Sequence, residues 1–233
     1  MNRAPIPTGG PRSKRDFDLP EKSEAEVRRA KRILDALRRR HPDAHCELDH
    51  GSPHELLVAT ILSAQATDVG VNKATPGLFA RFPTPADYAA ATIEEIEPHV
   101  RTVNFWRNKA KAIHSAMTSV ENDFGGEVPR TMEELLTLRG VARKTANVVL
   151  GNAFGINLGV VVDTHVMRLS QRYGLTEATD QGRIEKDLMA LFPRPSWCLL
   201  SHLLIFQGRR ACKARGALCA NDPLCRKYCS NAG

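Results

Sequence analysis

The 233-residue sequence predicts an all-α fold made of two helical lobes. Three observations carry this expectation. Apolar residues recur at helical rather than alternating spacing. Helix-start signals follow one another along most of the chain. Aromatic residues, at 6%, are sparse, and strand-like alternation is nearly absent.

The first 22 residues hold Pro5, Pro7, Pro11 and Pro20 with a basic run at Arg12, Lys14 and Arg15. Such a composition buries too little surface to offset ordering entropy, so 1–22 is expected to be a flexible tail. Ser23 and Glu26 then form a capping box before Val27, Ala30, Leu34 and Leu37, and His41-Pro42 ends that helix. Ser52-Pro53-His54-Glu55 opens the next, and Leu56 to Ala66 is apolar nearly all round, as a buried central helix would be. Thr84 to Asp87 and Thr92 to Glu95 start two short helices, and another runs over about 105–124 to Gly125-Gly126. Thr131 to Glu134 leads into Leu135, Leu136 and Leu138, and a helix over about 142–154 closes on Gly155. Val160-Val161-Val162 is an extended entry to a helix capped by Asp163, and further helices fit 182–192 and 195–210.

Lysine and arginine total 33 against 26 acidic residues, a net charge of +7 that suits a polyanionic partner. No stretch approaches the roughly 20 apolar residues needed to span a bilayer, and 1–22 lacks the core of an export signal. A cytoplasmic protein is expected, whose six cysteines are not structural disulfides. Cys212, Cys219, Cys225 and Cys229 crowd the C-terminal segment, and four thiols so close in sequence suggest zinc or an iron–sulfur cluster. Cys46 and Cys198 fall outside the group and are expected to be buried thiols.

The densest chemistry lies in Leu138-Arg139-Gly140-Val141-Ala142-Arg143-Lys144-Thr145-Ala146. A glycine-containing turn between two helices points the free N–H groups of the second helix outward, where the dipole favours a phosphate. Lys144 falls in that helix's first turn, where the dipole disfavours an ammonium, and a neutral amine can attack carbon. Further on, Val162-Asp163-Thr164-His165 places a carboxylate at another helix start, a position where aspartate commonly serves as an N-cap.

Leu-x-Gly-Val-x-Arg-Lys-Thr-Ala-Asn-Val-Val followed by Val-Asp-Thr-His resembles the helix-hairpin-helix DNA glycosylases of the endonuclease III family. The resemblance extends to Leu62-Ser63-Ala64-Gln65-Ala66-Thr67-Asp68, to Val71 through Thr75 and to Gly126-Glu127-Val128-Pro129, covering the chain from about residue 25 onward. It implies that Lys144 is the nucleophile and Asp163 the catalytic carboxylate of a bifunctional glycosylase and lyase. The implied partner is duplex DNA carrying damaged pyrimidines or abasic sites, bound by a monomer. Gln65 and Phe105 would fill the gap left by an extruded nucleotide. Arg139, Gly140, Val141, Ala142, Arg143 and His165 would contact DNA, with Lys73 a further phosphate contact. The resemblance implies a 4Fe–4S cluster on Cys212, Cys219, Cys225 and Cys229, flanked by the basic Lys213, Arg215, Arg226 and Lys227. It also implies a division into a domain of 23–45 with 158–233, carrying the cluster, and a helical domain of 46–157, carrying the hairpin.

The sequence departs from this family in two places. Asp222 stands where the family's third cysteine falls, so either Cys225 and Cys229 complete the set or Asp222 is a ligand. Arg139 and Ala142 stand where the family has proline and a second glycine. The non-enzymatic alternative is a weakly active or inactive paralogue that scaffolds DNA.

Overall fold

The computed structural model describes residues 17–215 and 219–230. Among them are twelve α-helices and no strand: α1 (Glu24–Arg40), α2 (Pro53–Ser63), α3 (Asp68–Arg81), α4 (Pro85–Ala90), α5 (Ile93–Val100), α6 (Trp106–Phe124), α7 (Met132–Leu135), α8 (Arg143–Phe154), α9 (Thr164–Arg172), α10 (Gln181–Leu191), α11 (Trp197–Arg210) and α12 (Pro223–Tyr228). The all-α expectation holds.

Two apolar cores organise them. One gathers Leu57, Leu62, Leu78, Tyr88, Ile113, Met117, Leu135 and Leu150, from α2 through α8. The other gathers Ile33 and Leu37 of α1 with Leu169, Leu188, Trp197, Leu204 and the four C-terminal cysteines. The chain passes from the first to the second between Leu158, packed on the first core, and Val160, buried in the second. Gly159 lies at that crossing, where a Cβ would overlap Glu185 Oε1 and Asn147 Nδ2. Glu185 there accepts from Arg143 Nε at 3.0 Å and from Asn147 Nδ2 at 3.0 Å, latching α10 to α8. Arg209 adds a second tie, pairing with Asp68 at 2.6 Å and also with Glu47.

The caps fall where the sequence places them. Ser23 with Glu26, Thr84 with Asp87 and Thr92 with Glu95 are reciprocal capping boxes. Helix α2 is buried without a break from Leu56 to Leu62. It stops at Ser63, short of the expected Ala66, because Gln65 turns left-handed (φ 54°) and Lys109 Nζ takes the Leu62 carbonyl at 2.8 Å. Helix α3 goes unrecognised in the sequence because Pro76 lies inside it and its apolar stripe is weak. Its start is marked by Thr67, whose hydroxyl accepts from Gly70 N.

The expected tail needs one correction. Residues 1–16 lie outside the described residues, but 17–22 dock on the second lobe. The Phe17 ring meets Trp197 edge-on at 5.3 Å, and Lys22 pairs with Asp187 at 2.7 Å. No described helix is long and apolar enough to cross a membrane.

Candidate active site and cysteine centre

The turn from α7 to α8 is built on Gly140. Its φ is +83°, and a Cβ there would stand 3.0 Å from the Ala112 side chain, so both conformation and space demand glycine. Buried Leu138 and Val141 anchor the turn on the first core, while Arg139 and Ala142 are exposed. Ala142 is the N-cap of α8 at φ −95° and ψ 170°, ordinary extended backbone, so alanine in place of the family's glycine strains nothing. No side chain caps this helix start, which leaves its first N–H groups available to an anion. Arg143 is less available than its sequence position suggested. Its Nε and Nη2 fork onto Glu185, and Nη2 also reaches Leu158 O at 3.2 Å.

Lys144, the second residue of α8, lines a cavity of about 730 Å³ between the two lobes. Asp163 lines the same cavity, as do Thr164 and His165 beside it. Asp163 is also the N-cap of α9, its Oδ1 accepting from Val166 N at 2.8 Å, a bond that fixes the carboxylate's direction. His165 Nδ1 lies 3.2 Å from Arg168 Nη2, which also donates to Gly208 O and Cys212 O. Burial pushes the His165 pKa down despite the neighbouring Asp163. Gly208 permits this contact, since a Cβ there would lie 2.9 Å from His165 Nδ1.

Gln65 and Phe105 are the two non-glycine residues at positive φ among those described, at 54° and 56°. Left-handed backbone is strained for both, and such strain collects at functional sites. Phe105 is 60% exposed, so its ring is not part of the core. The two loops touch: Asn104 Nδ2 donates to Gln65 O at 3.1 Å, beside a hollow of about 420 Å³ bounded by 65–67, Gly70 and 102–104.

In the second lobe, the thiols of Cys212, Cys219, Cys225 and Cys229 are buried, form no disulfide, and converge with all four sulfurs within 4.8 Å of one another. A closed set of four thiols fits the soft, thiolate-ligated 4Fe–4S cluster of endonuclease III. Donors already surround the sulfurs: Arg172 Nη1 lies 3.1 Å from Cys212 Sγ, and Gln207 Nε2 lies 3.3 Å from Cys225 Sγ. Asp222 is a clamp outside this group. It is 3% exposed, and its carboxylate accepts from Cys225 N, Gln207 Nε2 and Arg40 Nε at 2.9–3.1 Å. Burial opposes its charge, but those donors outweigh burial and hold its pKa low. Lys213, Arg215, Arg226 and Lys227 are exposed around the centre.

Residues 58–194 match the HhH-GPD superfamily of base excision DNA repair proteins. The endonuclease III of Synechocystis sp. is 55% identical over 206 residues, 88% of this chain and 94% of that one. The endonuclease III of Escherichia coli is 38% identical over 84% of this chain and 93% of its own. Two solved endonuclease III–DNA structures, a non-covalent complex and a trapped covalent intermediate, each superpose with a TM-score of 0.83 at 43% identity, covering 88% of this chain and 96% of theirs. The chain therefore belongs to the endonuclease III family, within the HhH-GPD superfamily of base excision DNA repair proteins.

Proposed function

We propose that the protein is a base-excision-repair glycosylase and abasic-site lyase acting on duplex DNA with oxidised or ring-saturated pyrimidines. The observation that carries this reading is the shared cavity of Lys144 and Asp163. A base stacked in a duplex is out of reach, so the nucleotide must rotate into such a pocket. As the glycosidic bond breaks, its electron pair leaves with the base and positive charge develops on the sugar beside Asp163, which stabilises it. The lone pair of Lys144 Nζ bonds to C1′, the nitrogen loses a proton, and the sugar ring opens to an iminium. Removal of a proton from C2′ then drives the C3′–O bond to break, cutting the strand on the 3′ side of the lesion. Water releases the enzyme by hydrolysing the iminium.

Gln65 and Phe105 fill the vacated duplex position, their loops joined through Asn104. The hairpin from Arg139 to Ala142 takes a phosphate on the open start of α8. Arg143, latched to Glu185, holds that helix start in place rather than offering a free charge, and His165 contacts the DNA beside the sugar. Lys213, Arg215, Arg226 and Lys227 extend the basic surface, which the four-cysteine cluster organises. The two apolar cores support division into 46–157 and 23–45 with 158–233. The protein works as a monomer in the cytoplasm, on chromosomal DNA.

Phe105→Ala is expected to weaken binding to lesion duplex by about tenfold, the loss of a base-stacking contact worth roughly 1–3 kcal/mol. Because the ring is 60% exposed, the melting temperature should not fall, and unchanged affinity would remove the wedge role. The function itself is tested by single-turnover incision of duplexes carrying an oxidised pyrimidine, an abasic site or neither. Incision of the first two alone is expected. Tight binding to damaged duplex without incision would replace the enzyme with a DNA-binding scaffold.

A further inference from the structure

Beyond Lys144 and Asp163, the cavity has a polar wall that the lyase chemistry leaves unused. Asn152 of α8 fixes its character. Asn152 Nδ2 donates to Val148 O at 2.8 Å, so Oδ1 is the atom turned toward His202 of α11. That oxygen can only accept, so His202 donates to it from Nε2, at 2.8 Å. Burial pushes the His202 pKa down to about 4, so the ring is neutral and Nδ1 carries a lone pair. Among the described residues nothing donates to that lone pair.

Two hydroxyls of α2 lining the same cavity are arranged in the same sense. Thr60 Oγ1 donates to Leu56 O at 2.7 Å, and Ser63 Oγ donates to Thr60 O at 2.8 Å. With their protons committed, both offer only lone pairs. A wall of acceptors binds N–H and O–H groups and disfavours carbonyl oxygens.

We propose that His202, positioned by Asn152, forms with Thr60 and Ser63 the wall that reads the extruded base, favouring bases with several N–H or O–H donors. This deepens the glycosylase reading and rests on it. 5-Hydroxyhydantoins and glycols are such bases. A dihydropyrimidine, whose ring change adds no donor to nitrogen or oxygen, is read less well.

The test is single-turnover cleavage of three duplexes carrying a 5-hydroxyhydantoin, a 5,6-dihydropyrimidine or an abasic site. In the unaltered protein the hydantoin should be excised about tenfold faster than the dihydro base. His202→Leu should lower the ratio of hydantoin excision to abasic cleavage by about tenfold or more, and His202→Gln, which restores an acceptor, should recover much of that ratio. An unchanged ratio, or an equal fall on hydantoin and abasic duplexes, would overturn the proposal. If the unaltered protein cleaves abasic DNA but excises neither base, the glycosylase reading fails first.

Discussion

Lys144→Gln should abolish the covalent adduct that borohydride traps between the protein and abasic DNA. Glutamine keeps a polar side chain, one atom shorter, but its amide nitrogen has no lone pair able to form an iminium. Lys144 is exposed at the start of α8, so the substitution removes no packing and the fold should be retained. Binding to abasic duplex, measured in parallel, should stay within a few fold, because the open N–H groups of the helix start do not depend on this side chain. Trapping at the rate of the unaltered protein would remove Lys144 from the mechanism. Residual trapping at a low rate would instead show another amine in the cavity reaching the sugar.

Cys225→Ser is expected to have the largest effect on stability. The thiol is fully buried in the second core, within reach of Gln207 and Tyr173. A hydroxyl is a poor substitute for a soft thiolate, so the purified variant should lose its brown colour and most of its iron. Loss of the cluster should cost about 4 kcal/mol or more, a fall in Tm on the order of 10 °C for a chain of this length. Asp222→Asn provides the contrast. It keeps an acceptor for Cys225 N and Gln207, loses the Arg40 ion pair, and should retain iron with only a modest fall in Tm. Equal iron loss in both variants would place Asp222 among the ligands.

The parts of the molecule legible in the sequence were those in which one local interaction decides the outcome. Ser23, Thr84, Thr92 and Asp163 announce helix starts because each needs only an acceptor within three residues of a free N–H. The family motif likewise singles out Lys144, and the crowding of four thiols near the C-terminus marks the cysteine group. What depends on distant partners stayed hidden. Nothing near Arg143 reveals Glu185, and nothing near Asp222 reveals Arg40 or Gln207. The polar wall of the cavity draws Thr60, Asn152 and His202 from three helices, a combination no spacing pattern encodes. Phe17 and Lys22 read as part of a tail because proline content describes the chain alone, not the distant Trp197 and Asp187 that they meet. The left-handed turns at Gln65 and Phe105 were equally invisible, since neither residue type favours positive φ.

The seam between the lobes has a mechanical consequence. With Gly159 allowing no side chain, Glu185 gripping α8 and Arg209 bridging Asp68 and Glu47, opening the jaws wider would separate charged pairs. A duplex that bends to enter them avoids breaking those pairs. Damage that loosens stacking makes that bending easier, so the pliancy of a site can sort damaged from intact DNA before any atom of the base is touched.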